Sequence, residues 1–403
     1  MRKQRALVCG VSPIVKEQIF MKDLSQCRAE IDEIDAQLIT LLEKRMRVAE
    51  SVARYKLANN MKVFDETRER AVLDKIAAIS PEDVREKLVG TYDGIMNMSK
   101  LHQYELKSEF SAWRSFFNAA LEAGKPSQSS FKGIKVGAQG VDGAFSAQAA
   151  RTMYPDADIV FFSSWAEIFA ALHSGEIEYG VLPVENSTYG SVTDVYRLIM
   201  DNDAYIYASH RLPVEHCLLA KKGVRKDDIR EILSHPQAIG QCSNFISELG
   251  IAATQAANTA VAARTAAESN RGNLAAIASA DCAKLYGLEI LERGIQNEKV
   301  NTTRFVAISR KLTIAPDADK ISIQFSLAHR EGTLSRILGY FSALGLNLTK
   351  IESRPIPSQP FEYRFYLDFN GSMSDIHTFN LICALSDELA EFRFLGNYNE
   401  DTK

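Results

Sequence analysis

From Ile31 the apolar residues recur at steps of three and four: Ile31, Ile34, Leu38, Leu41 and Leu42, then Val48, Val52 and Tyr55. That period predicts one long amphipathic helix, ended by the polar break Asn59-Asn60. A second helix is predicted over 65–79. A third is predicted over 81–123, with Ser80 as N-cap, Pro81 in the first position and Asp83 in the first turn. No strand pattern occurs between 21 and 123, so this segment reads as an all-α domain. The composition of 124–130, Gly-Lys-Pro-Ser-Gln-Ser-Ser, predicts a linker.

Beyond the linker the period changes. Strand-like runs at 134–136, 159–162, 179–184, 205–209, 216–220, 275–280 and 304–309 alternate with helical patterns, the first of which opens at Ser146. Such alternation predicts an α/β domain with a largely parallel sheet over 133–311, long enough for two lobes around a cleft. Pro316 to Lys320 reads as a second linker. The tail then predicts strand 321–327, helix 332–344, strands 347–353 and 361–369, helix 374–389 and strand 392–397. This βαββαβ order implies a ferredoxin-like α+β domain over 320–398. The chain is therefore expected to be multidomain.

At 403 residues it is too long for one core. A net charge of −4 with both signs scattered points to neither nucleic acid nor an anionic membrane as partner. No apolar run approaches the length of a membrane span. Six cysteines without a CxxC pair favour a reduced compartment over a disulfide framework or a zinc site, and a cytoplasmic location is expected. Residues 1–20 carry basic residues and a short apolar patch without a signal-peptide pattern, and no function is attached to them. The seven histidines form no HExxH-like pair, so neither metal catalysis nor a cofactor is expected.

Local clusters must supply any anion site. Arg45 and Lys56 lie eleven residues apart on the first helix, about 16 Å along one face. They are spaced to hold a small dianion between them. Arg28 precedes Arg45 by seventeen residues, roughly 25 Å along the axis. It cannot reach the same ligand from the same straight helix, so if it takes part it comes from a partner chain. Asp65, Arg68 and Glu69 share a helix face, and Ser99 and Gln103 form an i, i+4 pair.

The run Arg28-Ala-Glu-Ile-Asp-Glu-Ile-Asp, then Arg45, Lys56, Asp65-Glu-Thr-Arg68-Glu69, resembles the all-helical chorismate mutase family over about 25–105. The resemblance implies an intertwined dimer in which one arginine of each site crosses from the other protomer. It implies that Arg28 and Arg45 bind the two carboxylates of chorismate, and that Lys56 and Gln103 hydrogen-bond the ether oxygen. Asp65 and Glu69 would hold the ring hydroxyl side, supported by Arg68 and Ser99. The reaction would be the pericyclic rearrangement to prephenate, with Lys56 stabilising the breaking C–O bond.

In the α/β segment, Gly137-Ala-Gln-Gly140-Val-Asp-Gly143-Ala-Phe-Ser146 is a glycine-rich strand-to-helix turn. It is neither a dinucleotide fingerprint nor a P-loop. With Pro183-Val-Glu-Asn186-Ser187-Thr188, Ser234-His235-Pro-Gln and Thr303-Arg304-Phe305 it resembles the prephenate dehydratase family over about 133–310. That resemblance implies two lobes similar to periplasmic solute-binding proteins. It makes Thr303 the essential hydrogen-bond donor to the leaving oxygen and places Arg304 on a carboxylate. Asn186, Ser187, Thr188 and the 143–146 loop, with Gly143 and Ser146, would hold the rest of prephenate. His235 is either a general acid or a cap for its own turn.

The tail resembles an ACT domain, an amino-acid-binding module, through Gly332-Thr333-Leu334-Ser335 and Glu352-Ser353-Arg354-Pro355. L-phenylalanine is the implied effector, bound between paired modules of a homo-oligomer. The overall expectation is a bifunctional chorismate mutase/prephenate dehydratase with feedback by phenylalanine. The alternatives are an arogenate-preferring dehydratase and a non-catalytic two-lobed small-molecule sensor.

Overall fold

The computed structural model describes residues 23–124, 131–327, 330, 332–356 and 359–401. Residues 1–20 and most of the expected 124–130 linker lie outside the described residues.

Helix α1 runs Leu24–Ala58. Asp23 starts it with a capping box: its carboxylate accepts from Gln26 N at 2.9 Å, and the Gln26 side chain accepts from Asp23 N at 3.2 Å. At about 1.5 Å per residue the helix is roughly 50 Å long. Only its C-terminal half packs inward, through Ala49 and Ala53. The stripe Ile31, Ile34, Leu38 and Leu41 stays exposed.

Helix α2, Glu66–Ile79, begins at Asp65, whose carboxylate accepts from Arg68 N at 3.0 Å. The single helix expected over 81–123 is two helices, α3 (Arg85–Ser108) and α4 (Ala112–Ala123). Ser80 closes α2 instead of opening α3: its hydroxyl donates to Ile76 O at 2.7 Å. Ser111 caps α4 by accepting from Trp113 N at 3.2 Å. The break lets α4 turn Phe117 into the C-terminal module, where its ring lies 4.7 Å from that of Phe394. That burial outweighs helical continuity.

The α/β segment forms two sheets. The first orders its strands Tyr205–Pro213, Thr302–Ser309, Tyr179–Asn186, Lys135–Gln139 and Asp158–Phe162. The second orders Glu289–Glu292, Cys217–Ala220, Leu274–Ala278, Glu231–Ser234 and Ala252–Gln255. The expectation of a largely parallel sheet is corrected, because both sheets are mixed. Thr302–Ser309 runs antiparallel to both neighbours, and so does Cys217–Ala220. The chain leaves the first lobe after Pro213 and returns only at Thr302, and the returning strand inserts against the direction of the others.

The C-terminal module has the predicted βαββαβ order. Its four antiparallel strands run Leu348–Ile356, Gln359–Asn370, Lys320–Leu327 and Ala390–Tyr398 across the sheet, with helices Thr333–Ala343 and Ile376–Glu388. The expected second linker is not a free connector. Ile314, Ala315 and Ala318 are buried in one cluster with Ile321 and Phe325, and Ile314 N donates to Ala120 O at 3.0 Å. Unforeseen from the sequence, Glu400–Asp401 adds a short strand parallel to Tyr205–Pro213, tying the chain end to the first lobe.

Candidate active sites

Two cavities gather the candidate residues. The first, about 290 Å³, lies among α1, α2 and α3. Arg45, Lys56, Asp65, Arg68, Glu69, Ser99 and Gln103 line it over an apolar floor that includes Val52, Val72 and Met96. Lys56 Nζ donates to Val63 O at 2.5 Å. Burial pulls the Lys56 ammonium below the usual lysine range, against the opposing pull of Asp65 and Glu69. Gln103 Nε2 donates to Ser99 O at 3.2 Å. Arg45 Nη1 and Gln103 Oε1 are buried without a hydrogen-bond partner among the described residues. Unpaired polar atoms in the wall of a ligand-sized cavity mark places where a ligand supplies the missing bond. Arg28 does not join them. It is exposed on the N-terminal half of α1, outside the cavity.

Lys100 was not singled out from the sequence. It lines the same cavity, is only 4% exposed, and pairs with Glu69 at 2.8 Å. Its signal was present: with Met96 and Gln103 it follows the i, i+4, i+7 spacing of the inward face of α3, where a lysine is out of place.

The second cavity, about 610 Å³, lies between the two α/β lobes. The first lobe supplies Gln139, Gly140, Ser146, Asn186 and Thr303; the second supplies His235, Gln237, Gln241 and Asn258. Asn186 is locked in one orientation. Its Oδ1 accepts from Thr188 N and Tyr189 N, both at 3.0 Å. Its Nδ2 donates to Asn301 Oδ1 at 2.8 Å and to Thr303 Oγ1 at 2.9 Å. Thr303 Oγ1 therefore accepts from the protein and keeps its own hydrogen for a group in the cavity.

Four other candidates do not line this cavity. Arg304 follows Thr303 on one strand, so its side chain takes the opposite face. It is buried against Asp368 at 2.5 Å and Glu400 at 2.9 Å, and donates to Tyr398 Oη at 2.6 Å. It joins the lobe to the C-terminal module and does not line the cavity. Ser187 Oγ accepts from Thr302 N at 3.0 Å, and Thr188 only supplies its amide to Asn186. Both build the turn. Gly143 sits at φ +88°, with its carbonyl accepting from Ser279 Oγ and Cys282 Sγ, each at 3.2 Å. A Cβ there would meet Cys282 Sγ at 2.9 Å, so this glycine serves contact between the lobes. Gly140 lines the cavity instead.

His235 caps the helix Pro236–Gln241, accepting from Gln237 N at 3.3 Å, and also lines the cavity. His216, on the crossover between lobes, was missed. It is 2% exposed and lines the cavity, with Nε2 2.6 Å from Gln241 Oε1 and Nδ1 unpartnered among the described residues. Burial lowers its pKa, against the opposing pull of the hydrogen bond with Gln241. A histidine in a connector carries no spacing signal that would have revealed it.

Comparison with known proteins decides the family. The family described as "Prephenate dehydratase" matches residues 136–313, and the one described as "Chorismate mutase type II" matches residues 27–104. A chloroplastic protein of Arabidopsis thaliana named arogenate dehydratase/prephenate dehydratase 2 is 38% identical over 67% of this chain and 74% of its own length. The chain belongs to the prephenate dehydratase family. It carries chorismate mutase and prephenate dehydratase activities on one polypeptide, so the reading as a non-catalytic sensor is set aside.

Among solved structures, a prephenate dehydratase from Arthrobacter aurescens in complex with L-Phe is 27% identical with a TM-score of 0.61, covering 66% of this chain and 89% of that one. A structure described as GqqA, a novel type of quorum quenching acylase, is 32% identical with a TM-score of 0.60, covering 66% and 98%. The expected cytoplasmic location is set aside, because several relatives, all from Arabidopsis thaliana, are named chloroplastic.

The effector candidates fall on two elements. Gly332, at φ +76°, and Thr333 open the helix Thr333–Ala343, with Leu334 in its first turn. Gly332 and Thr333 line a cavity of about 860 Å³ against α2 and α3. Glu352, Ser353, Arg354 and Pro355 lie on the strand Leu348–Ile356. There Glu352 accepts from Ser191 Oγ of the dehydratase lobe and pairs with Arg354 and with Lys350. Burial acts to raise the Glu352 pKa, but Ser191, Lys350 and Arg354 outweigh it and hold the carboxyl below its usual range.

Proposed function

We propose that the two activities run in sequence, chorismate to prephenate to phenylpyruvate, with the C-terminal module sensing the end product. In this reading residues 21–123 form the mutase, 133–311 the dehydratase and 320–398 the ACT module.

At the mutase, Arg45 and an Arg28 from the partner protomer grip the two carboxylates. Lys56 and Gln103 meet the ether oxygen, and Asp65 and Glu69 hold the hydroxyl, with Arg68 and Ser99 behind them. No proton, metal or covalent intermediate is required. The site holds the substrate in its compact conformer and offers cationic charge to the oxygen of the breaking bond. The exposed apolar stripe of α1 supports the interlocked dimer this arrangement needs.

At the dehydratase, the ring carboxylate leaves as carbon dioxide, and its electron pair aromatises the ring. The ring hydroxyl departs and takes up one proton to become water. Thr303 hydrogen-bonds the departing oxygen, and the net proton comes from solvent, since a threonine hydroxyl is too weak an acid to supply it. The Asn186 to Thr303 hydrogen bond carries this reading, because it leaves the threonine hydrogen free for the leaving group.

Relatives named arogenate dehydratase favour a second substrate that differs only in an amino group in place of the keto group. Feeding purified full-length protein chorismate and following phenylpyruvate, then comparing prephenate with arogenate, tests both halves. Mutase turnover without dehydration of either acid would defeat the dehydratase reading. L-phenylalanine is expected to lower dehydratase turnover. Unchanged kinetics up to millimolar phenylalanine, with no heat of binding, would remove the effector role.

A further inference from the structure

Lys100 stands in the wall of the mutase cavity and also at its contact with the C-terminal module. Its ammonium pairs with Glu69 at 2.8 Å. The same nitrogen lies 5.3 Å from the Phe64 ring centroid and 5.5 Å from that of Tyr340. Tyr340 belongs to the helix Thr333–Ala343 and donates to Glu388 at 2.6 Å. From that helix Arg336 also pairs with Glu388 and lies 4.4 Å from the Phe64 ring centroid. Phe64 therefore has a mutase cation and a C-terminal-module cation against its ring. Glu69 lines both the mutase cavity and the larger cavity bordered by Gly332 and Thr333.

A lysine this deeply buried loses hydration that a single ion pair replaces only when the geometry is good. Here the aromatic faces complete its shell. Removing it would leave the Glu69 carboxylate without the one cation that forms an ion pair with it among the described residues. That carboxylate would then be free to swing out of the mutase cavity.

We propose that Lys100 is a positioning residue of the mutase. It sets Glu69 in the chorismate cavity, and through its contact with Tyr340 it makes that setting depend on the helix that begins at the effector loop. The inference rests on the reading of Glu69 as a chorismate ligand.

Steady-state kinetics of both activities in full-length E69Q, K100M, E69Q/K100M, Y340L and Y340F separate the two claims. K100M is expected to raise the mutase KM about tenfold with kcat nearly kept, the pattern of lost uniform binding. The double variant should be no worse than E69Q within about twofold, since the two residues act as one unit. Y340L, which removes the ring, should raise the mutase KM about threefold, whereas Y340F, which keeps it, should stay within about twofold of wild type. Dehydratase turnover without effector should be unchanged in K100M, which reports an intact fold. If E69Q has normal mutase kinetics, the Glu69 reading itself fails. If E69Q is impaired and K100M is normal, only the Lys100 inference fails. If K100M lowers both activities together, Lys100 is merely structural. A normal mutase KM in Y340L removes the link to the effector helix.

Discussion

Asn186 Nδ2 donates to Thr303 Oγ1 at 2.9 Å, and this one bond decides which way the threonine hydroxyl can point. T303V is expected to lower dehydratase kcat by about 100- to 1,000-fold, the usual effect of losing one donor to a developing oxyanion. KM and the mutase activity should change little. N186D should also lower kcat, because a carboxylate would accept the threonine proton where the amide donates. Progress curves on prephenate with each variant check both.

Lys56 is held by Val63 O and partly desolvated within reach of Asp65 and Glu69. K56A is expected to cut mutase turnover by at least about 1,000-fold. Far-ultraviolet circular dichroism and dehydratase activity should be unchanged. Near-normal rearrangement of chorismate would refute the assignment.

Arg28 sits outside the cavity that Arg45 lines in one protomer. R28A and R45A should each abolish mutase activity. If each site draws one arginine from each chain, mixing the two variants after mild denaturation and renaturation should restore some activity, because one site of each heterodimer holds both arginines. No recovery in a mixture that demonstrably exchanges subunits would rule out the shared site.

Arg304 is an internal tie between the dehydratase and the C-terminal module. R304Q leaves Asp368 buried without its cation, and a broken buried pair costs about 3 kcal/mol or more. A lower melting temperature is expected, with the prephenate KM of the remaining folded enzyme unchanged. A raised KM at unchanged stability would restore Arg304 as a substrate ligand.

Glu400 pairs with Arg211 and Lys320, each at 2.8 Å, and with Arg304 at 2.9 Å. Burial acts to raise its pKa, but Lys320, Arg304 and Arg211 outweigh it and depress the carboxyl below its usual value of 4.5. A carboxylate whose folded pKa is depressed contributes stability that is complete above its unfolded pKa. That contribution is lost as pH falls through the lower folded value. Denaturation midpoints between pH 7 and pH 3 should fall less steeply in E400Q than in wild type.

Much of this protein could be read along the chain. The apolar period of Ile31 to Tyr55 predicts α1, and the βαββαβ order of the tail appears as expected. Asp65, Arg68 and Glu69 at one helix start, with Ser99 and Gln103 four apart, meet Arg45 and Lys56 in one cavity. Helical spacing is local geometry, so side chains on a rigid rod can be placed before the fold is known. Strands 231–234, 252–255 and 289–292 were missed because each is four residues long with a polar or charged end, whereas the equally short Cys217–Ala220 is apolar throughout.

Sequence alone determined the three fold classes and the two chemistries, and it named seven residues that line the mutase cavity, because these depend on residue type and short-range spacing. Tertiary structure alone decided the faces. Thr303 and Arg304 are neighbours in the chain, yet one lines the cavity and the other is buried against a different module. Lys100 and His216 acquired their places only when distant segments closed over them. Burial and electrostatic partnership depend on what packs from elsewhere in the chain, and no local pattern records that.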